Sequence, residues 1–323
     1  MMDINEIKNH LDDVLTETNF DFLGEKKVGK VRDTYFAKDK VILITTDRQS
    51  AFDRVLAAVP FKGQVLNQVS AWWFEQTKDI VPNHVLAIPD PNVTIARPCE
   101  ILPVEVVVRT ALTGTTSTSI WVSYQKGQRE FGGLKLPDGL AKNTLLERPI
   151  LTPTTKFEEH DRNLTGEEIV KEGLLSKADW EKISELALKL FAFGQKESAK
   201  RNLILESTKY EFGRTADGQI IIADEIHTPD SSRYWLAETY RERIAKGQEP
   251  DNIDKEFLRL WFAEHCDPYK DKVLPEAPPE LVAELSRRYI MLYEMITGQK
   301  FIIDLSQPVL ERIKKNLKNY NAS

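Results

Sequence analysis

The chain of 323 residues carries 44 Lys and Arg against 50 Asp and Glu, a formal charge of −6, with 41% hydrophobic and 29% charged residues. This length accommodates two compact lobes at about 100–200 residues per domain and excludes a small disulfide-stapled module, and the composition, with glycine and proline spread along the chain, excludes a disordered chain and a collagen-like repeat. The acidic balance argues against a nucleic-acid partner, although a local cluster of arginines can still grip one phosphate.

The start of the chain, Met2-Asp3-Ile4-Asn5-Glu6, is acidic where a targeting peptide would be basic, and no apolar run reaches the ~18 residues that span a bilayer, so neither secretion nor membrane insertion is expected. Ile4, Ile7, Leu11, Val14 and Leu15 recur at helical spacing and predict an amphipathic helix over the first ~18 residues. The β-rich runs Lys27 to Phe36 and Lys40 to Thr46, separated by Ala37-Lys38-Asp39, predict an antiparallel hairpin. Val65 to Ile80 returns to a helical period. Val104 to Arg109 is apolar up to its arginine, as in a buried strand that delivers one polar group at its end. A loop of small residues, Thr113 to Ser119, follows. Thr165 with Glu168 forms a capping box, and Ser176 with Asp179 opens a helix running towards Lys200. Two strands fill Leu203 to Thr228. Pro268, Pro275, Pro278 and Pro279 make Asp267 to Glu280 an irregular connection before two last helical stretches. With strands gathered early, a helix-rich remainder and no repeat, the pattern favours α+β over a βαβ series. Cys99 and Cys266 belong to no paired or metal-spaced set and are expected as the reduced thiols of a cytoplasmic protein.

The most informative segment is Leu203 to Glu225. Asp217-Gly218 is a two-residue hairpin signal, since both central residues of a type I′ turn need positive φ. With that turn Glu211 lies directly opposite Asp224, and Ser207 and Lys209 share the face of Glu211. Two facing carboxylates call for a cation between them, and Mg²⁺, held by one or two carboxylates plus substrate phosphates, suits the pair. The other reading is an exposed face on which both acids are solvated or paired with nearby Lys or Arg, and a one-residue slip would break the pairing.

Other groups carry open alternatives. Gly29-Lys30-Val31-Arg32-Asp33 places a glycine and two cations in the first strand of a hairpin, either to cover nucleotide phosphates or as a plain edge strand. Arg109, followed by Thr110, Thr113, Thr115 and Thr116, suits a phosphate or carboxylate, or else a structural ion pair. Asp230-Ser231-Ser232-Arg233 reads as a turn opening a helix from Tyr234. Asp254 to Arg259 reads as a solvated helix start, and His160 and His227 as structural.

In order, the stretches GKVRDTY (29–35), TTDRQSAFDRVL (45–56), FKGQVLNQVSAWWF (61–74), PVEVVVRTALTGTTSTSIW (103–121), LTPTTKFEEHDRNLT (151–165), STKYEFG (207–213), ADEIHTPDSSRYW (223–235) and DKEFLR (254–259) resemble the SAICAR synthetase family. The resemblance implies a two-lobed α+β fold akin to ATP-grasp enzymes and kinases, with ATP in the cleft between lobes. The expected division is an ATP-binding lobe over 1–112, a larger lobe over 113–266 and a helical segment over 267–323 packed on the second lobe. It also implies an ATP-dependent ligase of purine biosynthesis that joins carboxyaminoimidazole ribonucleotide to L-aspartate, through an acyl phosphate, with ADP and phosphate as products. By resemblance, Gly29, Lys30, Val31 and Arg32 cover the ATP phosphates, Ile101 and Glu105 hold adenine and ribose, and Glu211 and Asp224 hold Mg²⁺. Lys209 neutralises developing charge. Arg109, Thr115, Ser232, Arg233 and Arg259 bind the ribonucleotide, chiefly its phosphate, and Asp161 lies near its amine or ribose. Ser50, Ala51, Phe52 and Asp53 resemble a mobile loop over the substrates. Many relatives carry Asp where Ser207 stands, so a contact to the nucleotide or a second metal position is either weaker here or supplied by Glu206. A small-molecule kinase and a silent nucleotide-binding scaffold are the rival readings, and no oligomeric state follows from the sequence.

Overall fold

The computed structural model describes residues 2–158 and 161–320. In chain order, α1 (Ile4–Lys8) precedes β1 (Glu25–Val28), β2 (Arg32–Phe36), β3 (Val41–Thr45), β4 (Arg48–Ala51), β5 (Arg54–Ala58), α2 (Lys62–Thr77), β6 (Val85–Asp90) and β7 (Val93–Ala96). Next come β8 (Glu100–Leu112), α3 (Ile120–Gln125), β9 (Glu130–Phe131), β10 (Leu134–Lys135), β11 (Thr144–Leu151), β12 (Thr154–Thr155), α4 (Gly166–Lys171) and α5 (Lys177–Ala199). The chain continues with β13 (Leu203–Arg214), β14 (Ile220–Ala223), β15 (Ser232–Leu236), α6 (Ala237–Ala245), α7 (Glu256–His265), α8 (Pro279–Thr297) and α9 (Val309–Asn316).

These elements form two units. The first comprises Met1–Glu75, His84–Pro98 and Ile253–Ser323. Its five-stranded antiparallel sheet has the order β1-β2-β3-β7-β6. Tyr35, Ile42, Ile44, Val93 and Ile95 bury one face against Leu15, Phe20 and, from the C-terminal end, Ile313 and Leu317. Arg312 fastens α9 from within, donating to Asp90 at 3.0 and 3.2 Å and to Asn92 Oδ1 at 2.6 Å. The buried Asp47 ties distant backbone together, accepting from the amides of Leu15 at 2.7 Å and Gly63 at 2.8 Å. Burial pushes its carboxyl up to about 6, because the amides and the Lys62 and Arg312 charges only partly offset the lost hydration.

The second unit, Gln76–Asn83 with Cys99–Asn252, is built on a six-stranded sheet. Its strands run β11-β8-β13-β14, with β12 also on β8 and β15 also on β13. The helix α5 lays Ile183, Leu186, Ala187, Leu190 and Phe191 into the core. Gly194 permits contact with His227, since a Cβ there would stand 2.3 Å from the imidazole. Both capping signals appear as expected: Thr165 and Glu168 close a reciprocal box on α4, and Ser176 caps α5 through the amide of Asp179. Among the described residues no helix is long and apolar enough to cross a membrane.

Several expectations are corrected. The α+β class stands, but the units do not follow the division at residues 112 and 266. The long strand β8 pairs with β13 and so belongs to the second unit, and residues 267–323 belong to the first. The first helix stops at Lys8 rather than near residue 18, with Leu15 reaching the core from non-helical chain. Gly29 and Lys30 lie in a turn between β1 and β2 rather than inside a strand, closed by a 2.8 Å bond from the Gly29 amide to the Arg32 carbonyl. Residues 232–236 form β15 against β13, and the helix begins only at Ala237. Asp254 is buried, not solvated, and caps the backbone of Glu256.

Candidate active site

The strand β13 lies at the centre of the second unit's sheet, and its alternation sends Ser207, Lys209 and Glu211 to one face and Thr208 and Tyr210 to the other. From Ser207 to Glu211 its pairing with β8 is unbroken: Ser207 opposes Arg109, Lys209 opposes Val107 and Glu211 opposes Glu105. Two buried carboxylates thus face each other, an arrangement that needs cations.

Two lysines supply them. Lys209 Nζ lies 2.5 Å from Glu105 Oε1 and 3.1 Å from Glu211 Oε1. Lys156 Nζ lies 2.5 Å from Glu211 Oε2 and 3.7 Å from Glu105 Oε1. Lys156 arrives because β12 pairs with β8, setting Thr154 opposite Glu105, and its own amide donates to the Pro103 carbonyl at 3.2 Å. Burial opposes ionisation of Glu211, but the Lys209 and Lys156 ammoniums outweigh it and hold the carboxyl down at about 2. Burial raises the carboxyl of Glu105, and repulsion from Glu211 adds to that effect. Lys209 is held firmly protonated: desolvation would lower it, yet Glu211, Glu105 and Asp224 together raise it well above the ordinary range.

The expected Glu211–Asp224 pairing is off by one residue, and Glu211 opposes Ala223. The turn signal at Asp217-Gly218 is in place, but only Gly218 takes positive φ (85°), so no type I′ turn forms. Instead the Thr215 amide donates to the Gln219 carbonyl at 3.0 Å, enclosing three residues. Asp224 stands just past β14 in left-handed backbone (φ 61°), half-buried, and its charge still reaches Lys209. Among the described residues no three Asp, Glu, His or Cys side chains gather as a metal site built by the protein alone. Glu211 and Asp224, which both act on Lys209, are the kind of oxygen donors a hard cation takes when phosphate and water complete its shell.

Along the same face, Ser207 opposes Arg233 of β15 as well as Arg109. Arg109 Nε donates to Thr152 Oγ1 at 2.9 Å, and Arg233 donates to the carbonyl of Ser232 at 2.6 Å. The hydroxyl of Ser232 points away, fully buried and 2.7 Å from Thr208 Oγ1, so it shapes the strand and offers no side-chain ligand. Glu206 likewise alternates to the opposite face, wholly buried, where its charge acts on Tyr240, so it does not stand in for an acid at 207. Thr115 is half-buried in the loop after β8, Ile101 opposes Gly213 at the far end of the strand pair, and Asp161 is exposed. His160 lies outside the described residues. His227 is a core residue, its Nε2 2.5 Å from the Tyr210 hydroxyl, and burial drives its imidazole down to about 3.

In the first unit, Arg48 holds the Gly29–Lys30 turn from below. Its guanidinium donates to the carbonyls of Gly29 (2.9 Å), Lys30 (3.3 Å) and Thr16, and to Asp33 Oδ1 at 2.8 Å. Lys30 reaches Asp53 at the tip of the β4–β5 hairpin, both side chains about half exposed. That tip is a two-residue turn in which Phe52 (φ 51°) and Asp53 (φ 60°) both take the left-handed conformation without glycine, a strained geometry. Ser50 lies at its base and Arg259 stands with its guanidinium 5.9 Å from the Phe52 ring, paired to Glu256 at 3.3 Å. Arg32 is half-buried at the start of β2. Two groups escaped sequence reasoning. Arg48 and Lys156 each sit in a recognised stretch, but no spacing rule ties Arg48 to the Gly29–Lys30 turn or Lys156 to Glu211.

A family model described as SAICAR synthetase matches residues 25–276. Phosphoribosylaminoimidazole-succinocarboxamide synthase of Legionella pneumophila (strain Paris) is 59% identical over 307 residues, spanning 95% of this chain and 98% of its own length. The chloroplastic protein of that name from Arabidopsis thaliana is 54% identical over 318 residues, 97% of this chain and 77% of its own. Among solved structures, SAICAR-synthase from Saccharomyces cerevisiae complexed with SAICAR superposes with a TM-score of 0.76 at 29% identity, over 90% of this chain and all of that one. A SAICAR synthetase (Type-2) in complex with ADP gives 0.66 at 27% identity, over 86% of this chain and all of that one.

Proposed function

The chain belongs to the SAICAR synthetase family, and from that premise we propose how its own residues carry an ATP-dependent ligation of carboxyaminoimidazole ribonucleotide to L-aspartate in purine biosynthesis. The observation that carries the reading is the Glu105–Lys156–Lys209–Glu211 cluster on the β8–β13 face, in a family with structures described as holding SAICAR and ADP.

A carboxylate is a poor electrophile. The substrate carboxylate attacks the γ-phosphorus of ATP as ADP leaves, and the aspartate amine then displaces phosphate from the acyl phosphate, losing a proton as the amide forms. Lys209, fixed as a cation by its acidic neighbours, stabilises the negative charge that builds in both steps and has no proton to lend. Glu211 and Asp224 would hold Mg²⁺, which supplies charge neutralisation to the phosphates when bound. Glu105 would turn its shared carboxylate to the nucleotide ribose, beside backbone near Ile101 for the base. Arg109, Thr115 and Arg233 would take the ribonucleotide phosphate, with Ser232 as a positioning residue and Asp161 near the amine. In the first unit, Gly29, Lys30, Val31 and Arg32 would take ATP phosphates, Arg259 a substrate anion, and Ser50 and Asp53 would move with the hairpin tip to exclude water. Two free thiols, Cys99 and Cys266, agree with a reducing cytoplasmic setting.

The test is ADP release from Mg-ATP and carboxyaminoimidazole ribonucleotide with and without L-aspartate, following the amide product. Release that depends on aspartate and matches amide one-to-one supports the ligase. Release without amide, with a stable phosphorylated product, would replace it by a kinase.

A further inference from the structure

Within the first unit the β4–β5 hairpin is tied to a distant part of the chain. Arg54, the first residue of β5, aims its guanidinium at three backbone carbonyls of the turn that follows α7. Its Nη1 donates to Asp271 at 2.6 Å and to Pro268 at 3.5 Å, and its Nη2 donates to Lys272 at 3.0 Å. That turn has its own scaffold: Asp267 accepts from the amides of Tyr269 and Lys270, both at 3.2 Å, and its amide donates to Asp271 Oδ2 at 2.9 Å. The carbonyls are thus presented to a planar fork of donors, which a single ammonium could not span.

The same turn supplies a ring. Tyr269 stands edge-on to Phe52 with 5.4 Å between centroids, and Phe52 is only 6% exposed although it occupies the hairpin tip. Phe52 and Asp53 are successive left-handed residues without glycine, a conformation that persists only where its surroundings over-determine it. The Arg54 fork and the Tyr269 ring contribute to that, together with the contact of Asp53 with Lys30. So seated, the tip touches the turn assigned to the ATP phosphates and lies beside Arg259, assigned to a substrate anion. The seated position is therefore the covering one.

We propose that Arg54 is a positioning residue of the ligation: its fork on the carbonyls of Pro268, Asp271 and Lys272 keeps the β4–β5 tip in the covering position, so that the acyl phosphate meets the aspartate amine and not water. This rests on the covering role given above to the hairpin tip. With the tip loose, water replaces the amine. Its oxygen bonds to the acyl carbon, the bond from that carbon to the phosphate oxygen breaks, phosphate leaves with one proton, the other goes to solvent, and the substrate carboxylate is regenerated. ATP is then consumed without amide.

The intact protein, given Mg-ATP, carboxyaminoimidazole ribonucleotide and L-aspartate, is assayed for ADP and amide together, while hydrogen exchange follows the amides of residues 52–55. Arg54→Met should speed exchange there, leave β2 and β3 protected, and raise ADP release to at least about twice amide formation, as expected when a closure that shuts out water is lost. Arg54→Lys, which keeps the charge without the fork, should uncouple as well; full coupling in that variant overturns the fork. A one-to-one ratio in Arg54→Met with a faster-exchanging tip overturns the proposal, as does exchange at the tip that does not change. The double variant Phe52→Asn with Asp53→Gly, whose residues accept the left-handed turn without the ring, separates the two layers. If it too stays one-to-one, the covering role of the tip fails, whereas uncoupling there beside a coupled Arg54→Met removes Arg54 alone.

Discussion

The two candidate regions place their charges in opposite ways. On the β8–β13 face of the second unit, two lysines and two glutamates are interlocked at 2.5–3.7 Å on strands whose register is continuous, and the glutamates are almost wholly buried. In the first unit, Lys30 and Asp53 meet at the exposed tips of two turns, one strained at Phe52 and Asp53. The first arrangement is preorganised, so its electrostatics cost little reorganisation when charge develops. The second can exchange an ion pair with water or with a ligand's phosphate at little expense. Fixed chemistry rests on strands, and adjustable contact rests on turns.

The sharpest way to break this contrast is Glu211→Gln, which is expected to lower aspartate-dependent ADP release about 10³-fold, since it removes an ionised oxygen ligand and leaves two ammoniums against one acid. A loss below tenfold would deny the cluster its place in the chemistry. Next, Lys156→Met leaves Glu105 and Glu211 with one lysine between them, and urea unfolding should show a loss of about 3 kcal/mol, the lower end for an orphaned buried charge because the lysine side chain is 18% exposed. Equal stability would mean that the pair is solvated after all.

Acid separates the units further. Glu211 is depressed, so its contribution is complete above the ordinary carboxylate range near pH 4.5 and is lost only as pH falls towards 2. Asp47 is raised to about 6, so between about pH 4 and 6 the folded chain holds a proton that the unfolded chain has released, and stability falls as pH rises through that window, by at most about 1.4 kcal/mol per pH unit. Hydrogen exchange, corrected for intrinsic rates, should show the Leu15 and Gly63 amides better protected at pH 5 than at pH 7, with β13 unchanged. Asp47→Asn should erase the difference. The smallest expected effect is that of Lys30→Ala, under about 1 kcal/mol in thermal unfolding because the pair is exposed, with a weaker KM for ATP as the readable consequence.

The sequence showed local features well and pairings at a distance poorly. Capping at Thr165 and Ser176 was legible because a cap and its partner lie within one turn of helix. The site of the Asp217-Gly218 turn was legible too, but its length was not: Thr215 takes the closing bonds with both amide and hydroxyl, and one extra residue in the loop shifts Glu211 from Asp224 to Ala223. Asp224 is recovered only by a left-handed backbone step that no propensity announces in an aspartate. Lys156 and Arg48 were hidden because their partners are set by which strands become neighbours. The same cause moved the lobe boundary, since the pairing of β8 with β13 outweighs its proximity in sequence to the first sheet.

The unbroken register from Ser207 to Glu211 makes β13 a ruler. Each residue advances about 3.4 Å, so the level of Arg109 and Arg233, opposite Ser207, and the level of the lysine–glutamate cluster are graduations about 14 Å apart, and neither can drift without dragging the central strand. A ligand that sets an anion against the arginines and reaches the lysine–glutamate cluster with its other end engages both marks at once. One that is a few ångströms shorter or longer must choose, which lets a rigid backbone measure substrate length without any side chain having to reject it.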